Sequence, residues 1–138
     1  MSRFVKKSEV DQEQFDWGVI GWRCVPATGA KQVVVMDVKL ETGEGHDFHR
    51  HPGQEEVIIV KRGRIIQYLE HDSTELGPED SVFIEADVVH ASFNEGDETA
   101  DLQVIIAPSL GEGQGYGLVD VSGEEPWVSL RNASGAAP

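Results

Sequence analysis

A single cysteine, Cys24, leaves no partner for an intrachain disulfide, and its neighbours Trp22, Arg23, Val25 and Pro26 form no dithiol motif. A buried structural thiol is the expectation. Positive charge is also scarce: 11 Lys and Arg stand against 25 Asp and Glu, for a net charge of -14. Such a chain repels a phosphate backbone instead of releasing its counterions, so nucleic acid is not expected as a partner. The acidic residues form no long block, and their surplus reads as solubility. No apolar run is long enough to span a bilayer, and the polar segment Met1 to Asp11 lacks the apolar core of a secretory signal. No membrane partner is expected, and the cytoplasm is the expected compartment. Without secretion, the glycosylation-like tripeptide Asn132-Ala133-Ser134 reads as a chance match.

What is present suits one folded domain. At 138 residues and 39% apolar, the chain can bury a core unaided. Short, β-branched apolar runs recur at Val33 to Leu40, Val57 to Val60, Ile65 to Leu69, Ser81 to Ile84, Val88 to Phe93 and Leu102 to Ala107. In the first, Val34, Met36, Val38 and Leu40 alternate with Val35, Asp37 and Lys39, the period of a half-buried strand. Turn-forming clusters such as Pro52-Gly53 and Gly77-Pro78 separate the runs. An all-β sandwich or antiparallel barrel follows. Ser8 to Phe15 is read as a short helical turn. The glycine-rich stretch Gly111 to Gly117, with the apolar patch at Val119, Val121 and Trp127, is read as an irregular flap. Residues 1–131 are taken as one domain and 132–138 as a flexible tail.

The chemistry concentrates in the histidines. His49 and His51 are two apart, which on a strand puts both imidazoles on one face. After Pro52-Gly53 the chain carries Gln54, Glu55 and Glu56 into an apolar strand, so a carboxylate can face the pair across the hairpin. His90 lies on or beside a later strand; alone it reads equally as a hydrogen-bonded core histidine. His71, beside Asp72 and Ser73 at a turn, is left out.

These residues resemble the cupin superfamily, in the germin-like form of its first motif. That motif runs glycine, five residues, His-x-His, three or four residues, glutamate, six residues, glycine. Gly43, His49, His51, Glu56 and Gly63 fill it at that spacing. The second motif is met only at its end, by His90 and Asn94; Glu79, Glu85 and Asp87 stand where it has glycine, proline and glycine. The resemblance covers residues 30–108 and implies a double-sheet jelly roll. It also implies one divalent transition metal (Fe, Mn, Ni, Zn or Cu) on His49, His51, Glu56 and His90, choosing Glu56 over Glu55 by its distance to Gly63.

Four such ligands leave open positions on a six-coordinate ion for water, oxygen or a substrate. The resemblance implies a metal-dependent enzyme on a small organic molecule, of dioxygenase type or isomerase or lyase type. The alternative is a non-catalytic metal or ligand-binding module. Ile58 and Val60, in phase with Glu56, are expected to face an apolar pocket with Val34, Met36 and Val38. Ser92, Gln67, Tyr68 and Asn94 are candidates for orienting a substrate, and His46 for a base or lid near the mouth. A homodimer through N-terminal strands is also implied, with Trp17, Val19, Ile20 and Trp22 as apolar candidates; the same residues could instead close one barrel.

Overall fold

A computed structural model of the chain describes residues 3–134. Eleven strands form two antiparallel sheets packed face to face. The larger sheet runs in the order β1 (Asp11–Phe15), β2 (Gly18–Cys24), β3 (Val34–Leu40), β10 (Ala100–Ala107), β5 (Glu55–Arg62), β8 (Ser81–Ile84). The smaller runs β11 (Val119–Asp120), β4 (Gly45–Arg50), β9 (His90–Phe93), β6 (Ile65–Leu69), β7 (Asp72–Leu76). This is the jelly roll, and one helix, α1 (Trp127–Ser134), covers the outer face of the smaller sheet.

Alternation in the sequence builds the core directly. Val34, Met36, Val38 and Leu40 of β3 are buried, as are Ala100, Leu102, Val104 and Ile106 of β10. The register sets Val104 between Met36 and Ile58, and Ile106 between Val34 and Glu56. Each such aliphatic side chain removed from water contributes roughly 1.5–3 kcal/mol. Glu56, in phase with Ile58 and Val60, is thereby carried into this apolar face.

The N-terminal reading is corrected in part. The helical turn is confined to Lys7–Glu9, and from Asp11 the chain is strand, because residues 11–15 pair along β2. Ile20 and Trp22 are buried in the core of a single chain, so they close the barrel, while Val19 is half-buried. Cys24 is half-buried as well, not enclosed. The C-terminal flap contains more order than expected: β11 pairs with β4, and α1 carries the chain through Asn132 to Ser134, where a flexible tail was expected. Trp127 and Leu130 explain it, since they pack on the outer cluster around Phe48, Tyr68 and Phe93. Residues 135–138 of that tail lie outside the described residues.

Candidate metal centre

β4 carries the site through an irregularity. His46 pairs with Ser92 and His49 with His90, so three steps on β4 oppose two on β9. This extra residue is a β-bulge. Without it, strand parity would put His46 and His49 on opposite faces; with it, both turn inward and stack at 3.8 Å between centroids. Phe48, inside the bulge, turns outward and is fully buried against Trp127 and Tyr68.

His49, His51, Glu56 and His90 meet between the sheets, each buried, with one donor atom from each all within 4.8 Å of one another. Each imidazole is fixed from behind. Nδ1 lies 2.6 Å from the Asp47 carbonyl in His49, 2.7 Å from that of Gly117 in His51, and 3.0 Å from that of Val88 in His90. A carbonyl can only accept, so each Nδ1 carries the proton and donates it. In the neutral tautomer this leaves the Nε2 lone pairs facing the cluster.

Glu56 Oε1 lies 2.8 Å from Nε2 of His90 and 3.2 Å from that of His51. Yet Glu56 Oε1 and His90 Nε2 are buried without an aligned hydrogen-bond partner among the described residues. Lone pairs held this close need a positive charge between them, a proton or a metal ion. Three imidazole nitrogens and one carboxylate oxygen suit a divalent transition metal. The residues therefore fit the ion that the donor set implies.

The electrostatics follow. Burial pushes Glu56 up, but attraction to the His90 and His51 imidazoles beside it outweighs burial and holds the carboxyl below its ordinary range. Burial pushes His51 down, yet attraction to the nearby Glu56 carboxylate, with the Gly117 carbonyl, leaves it raised. His49 is held well down by burial and by the imidazoles of His46, His90 and His51. Burial carries His46 to about 3. Burial, with the charge of Glu56, pushes the Tyr116 hydroxyl up to about 12.

Of the other candidates, His46 and Ser92 line the chamber at the ligands. His46 lies flat between His49 and Trp17, whose ring is 4.1 Å away. Gln67 stands behind, accepting from Ser92 Oγ at 2.6 Å and donating to the Tyr68 carbonyl. Tyr68 points to the outer face, edge-on to Phe48 and Phe93, away from the chamber. Asn94 spends its amide on the carbonyls of Leu40 and Glu98 and accepts from the Gly96 amide, bracing a loop. Met36, Val38 and Ile58 line the chamber as expected, while Val34 and Val60 lie in the core behind it.

Three residues of the site are not among the sequence-based site candidates, though Trp17 is named there for barrel closure or a dimer face. Trp17 and Tyr116 line the chamber. Gln54, fully buried, donates to the carbonyls of Pro108 and Gly115 and accepts from the Gly117 amide, gripping the glycine-rich segment on both sides of Tyr116. Gly115 has φ +90°, and a Cβ there would sit 2.6 Å from Val34 Cγ2, so the grip requires glycine. Glutamine between a turn and a motif carboxylate gives no periodic signal of such burial.

The profile of a family described as "Cupin domain" matches residues 36–106. A search of curated proteins finds no match. Among solved structures, the chain is similar to the polyketide cyclase RemF from Streptomyces resistomycificus: TM-score 0.73, 19% identity, covering 94% of this chain and 99% of that one. A predicted oxalate decarboxylase from Thermotoga maritima gives TM-score 0.70 and 18% identity, over 76% and 98% of the two chains. A sugar phosphate isomerase from a cupin superfamily, from Silicibacter pomeroyi, gives 0.68 and 17%, over 88% and 94%. At these identities the likeness is one of fold.

Proposed function

This chain belongs to the cupin domain family, and we propose from that premise that it is a metal-dependent enzyme acting on a small organic molecule that ligates through oxygen. One observation carries the reading: four buried donors converge, two of them without aligned partners, at the base of an apolar chamber. An ion bound there supplies Lewis acidity and, if redox-active, oxygen chemistry of the dioxygenase type.

The protein's own groups do the rest. Asp47, Gly117 and Val88 fix the imidazole tautomers through their carbonyls, so His49, His51 and His90 offer Nε2. Glu56 brings negative charge, and the aliphatic wall of Met36, Val38 and Ile58 keeps bulk water out. Burial keeps His46 neutral, so its ring can take part in a hydrogen bond to a ligand; Tyr116 keeps its proton and can donate a hydrogen bond. Among the described residues no Lys or Arg lines the chamber, which favours a neutral or singly charged ligand over a phosphorylated one. A cytoplasmic homodimer belongs to the same reading, and sedimentation velocity tests the assembly.

The test is purification with the native metal, followed by metal analysis and oxygen uptake against enediols, catechols, flavonols and keto sugars. We expect about one ion per chain, the number that one four-donor site accommodates. Oxygen uptake marks the dioxygenase branch; turnover of a keto sugar without uptake marks the isomerase or lyase branch. Wild-type protein without metal, or His51→Ala with unchanged metal content, overturns the reading.

A further inference from the structure

The chamber at the four donors is small, and the space outside it is large. Its volume is about 40 Å³, and since a water molecule needs roughly 10–15 Å³ of such volume, it accommodates about three. An ion and the occupants of its two open positions fill it. Beyond lies a vestibule of about 570 Å³.

Four side chains are common to both spaces: Trp17, His46, His49 and Tyr116. The passage is therefore rimmed by rings. On one side they form a continuous stack, Phe15 on Trp17 at 5.5 Å, Trp17 on His46 at 4.1 Å with planes 3° apart, and His46 on His49 at 3.8 Å. Tyr116 borders the same passage, edge-on to His51, and its hydroxyl makes no hydrogen bond among the described residues. The vestibule carries Asp16, Glu44, Asp47 and Asp120, and Arg131, which lines it too, is paired with Asp47 at 2.7 Å.

We propose that the ligand is a flat, ring-bearing molecule without strong negative charge, whose oxygen-bearing head reaches the donors while its body lies against Trp17 and Tyr116 in the passage. Selectivity then resides in the rim, not in the aliphatic barrel wall. The inference rests on the metal-dependent reading above. With the Trp17 faces already taken by Phe15 and His46, a ring meets the edges of Trp17 and Tyr116 with edge contacts that an aliphatic body of equal reach lacks. The vestibule carboxylates disfavour a body bearing phosphates or several carboxylates.

The experiment uses the full chain loaded with Co(II) and two hydroxamates that share one bidentate oxygen head. Acetohydroxamate has no ring, and 2-naphthohydroxamate carries a flat fused pair. Titration followed by the visible Co(II) spectrum is expected to show the naphthyl probe binding about tenfold tighter or better. Trp17→Ala should bring the ratio to about one, and Trp17→Phe should keep most of it; Co(II) stoichiometry checks that each variant is folded. Equal affinities in the wild type, or an undiminished ratio in Trp17→Ala, overturn the inference alone. A Co(II)-loaded protein that binds neither probe overturns the metal-dependent reading beneath it.

Discussion

His51 donates from Nδ1 to the carbonyl of Gly117 at 2.7 Å, joining a side chain of the candidate metal centre to the glycine-rich segment 66 residues further along the chain. Gln54 holds the same segment from the other side, through Pro108, Gly115 and Gly117. The flap is thus built into the centre it borders.

Replacing Gln54 by Leu removes three hydrogen bonds and takes the side-chain partner from the Pro108 carbonyl and the Gly117 amide, while the Gly115 carbonyl keeps the Leu110 amide. At about 1 kcal/mol net for each bond, the loss is about 3 kcal/mol. Urea denaturation of the metal-free protein should show it, with faster proteolysis between Ser109 and Gly117.

Glu56→Gln keeps the volume and removes the charge. Metal affinity should fall by about a hundredfold or more, since loss of an outer-shell partner alone costs 10–100-fold. The His51 imidazole, raised by Glu56, should titrate lower in the metal-free variant. Chelator competition measures the first effect and NMR the second.

Acid should destabilise the metal-free protein. His46 and His49 are both lowered in the folded state, so their stability is complete above the unfolded value near 6.5 and is lost as pH falls below it. Glu56, lowered too, adds stability above its unfolded value that is lost at still lower pH. His51 is raised, so its contribution is present below about 6.5 and fades as pH rises through its folded value. Between about pH 6.5 and 4.5, unfolding should take up about two protons. Denaturation midpoints measured across that window check the slope, and His46→Gln should remove about one proton from it.

Glu79 and Asp87 hold left-handed φ of 72° and 69°, so the backbone keeps the shape for which the family motif uses glycine. Glu79 gives up only an exposed contact to Lys61; Glu79→Gly should stabilise by about 0.5–1 kcal/mol, the net of relieved strain and glycine entropy. Asp87 tolerates this region better and bonds Arg50. Asp87→Gly should therefore destabilise by about 0.5 kcal/mol. Thermal melts separate the two signs.

Much of this was legible in the residues. The alternation of β3, and the spacing from Gly43 to Gly63, reflect local periods that the sheet preserves. β7 was invisible because its residues Asp72 to Glu75 are exposed along an outer edge, where no buried face imposes alternation. Tyr68 was misjudged because rim and outer face share the same polarity pattern; only the seating of α1 decides between them. His46 depended on the bulge, which no even-numbered strand reading contains. Trp17 and Tyr116 reach the chamber from distant segments, and their meeting is set by topology alone.

The bulge also makes β4 a shared wall. Asp47 serves both sides of it: its carbonyl accepts a hydrogen bond from His49 Nδ1, and its carboxylate holds Arg131 of α1 at 2.7 Å. Beside it, Phe48 stacks on Trp127 while His46 and His49 face the chamber. The seat of the helix and the seat of the imidazoles are therefore one mechanical part. Fraying of α1 on warming is thus expected to loosen the seats of His46 and His49 with it.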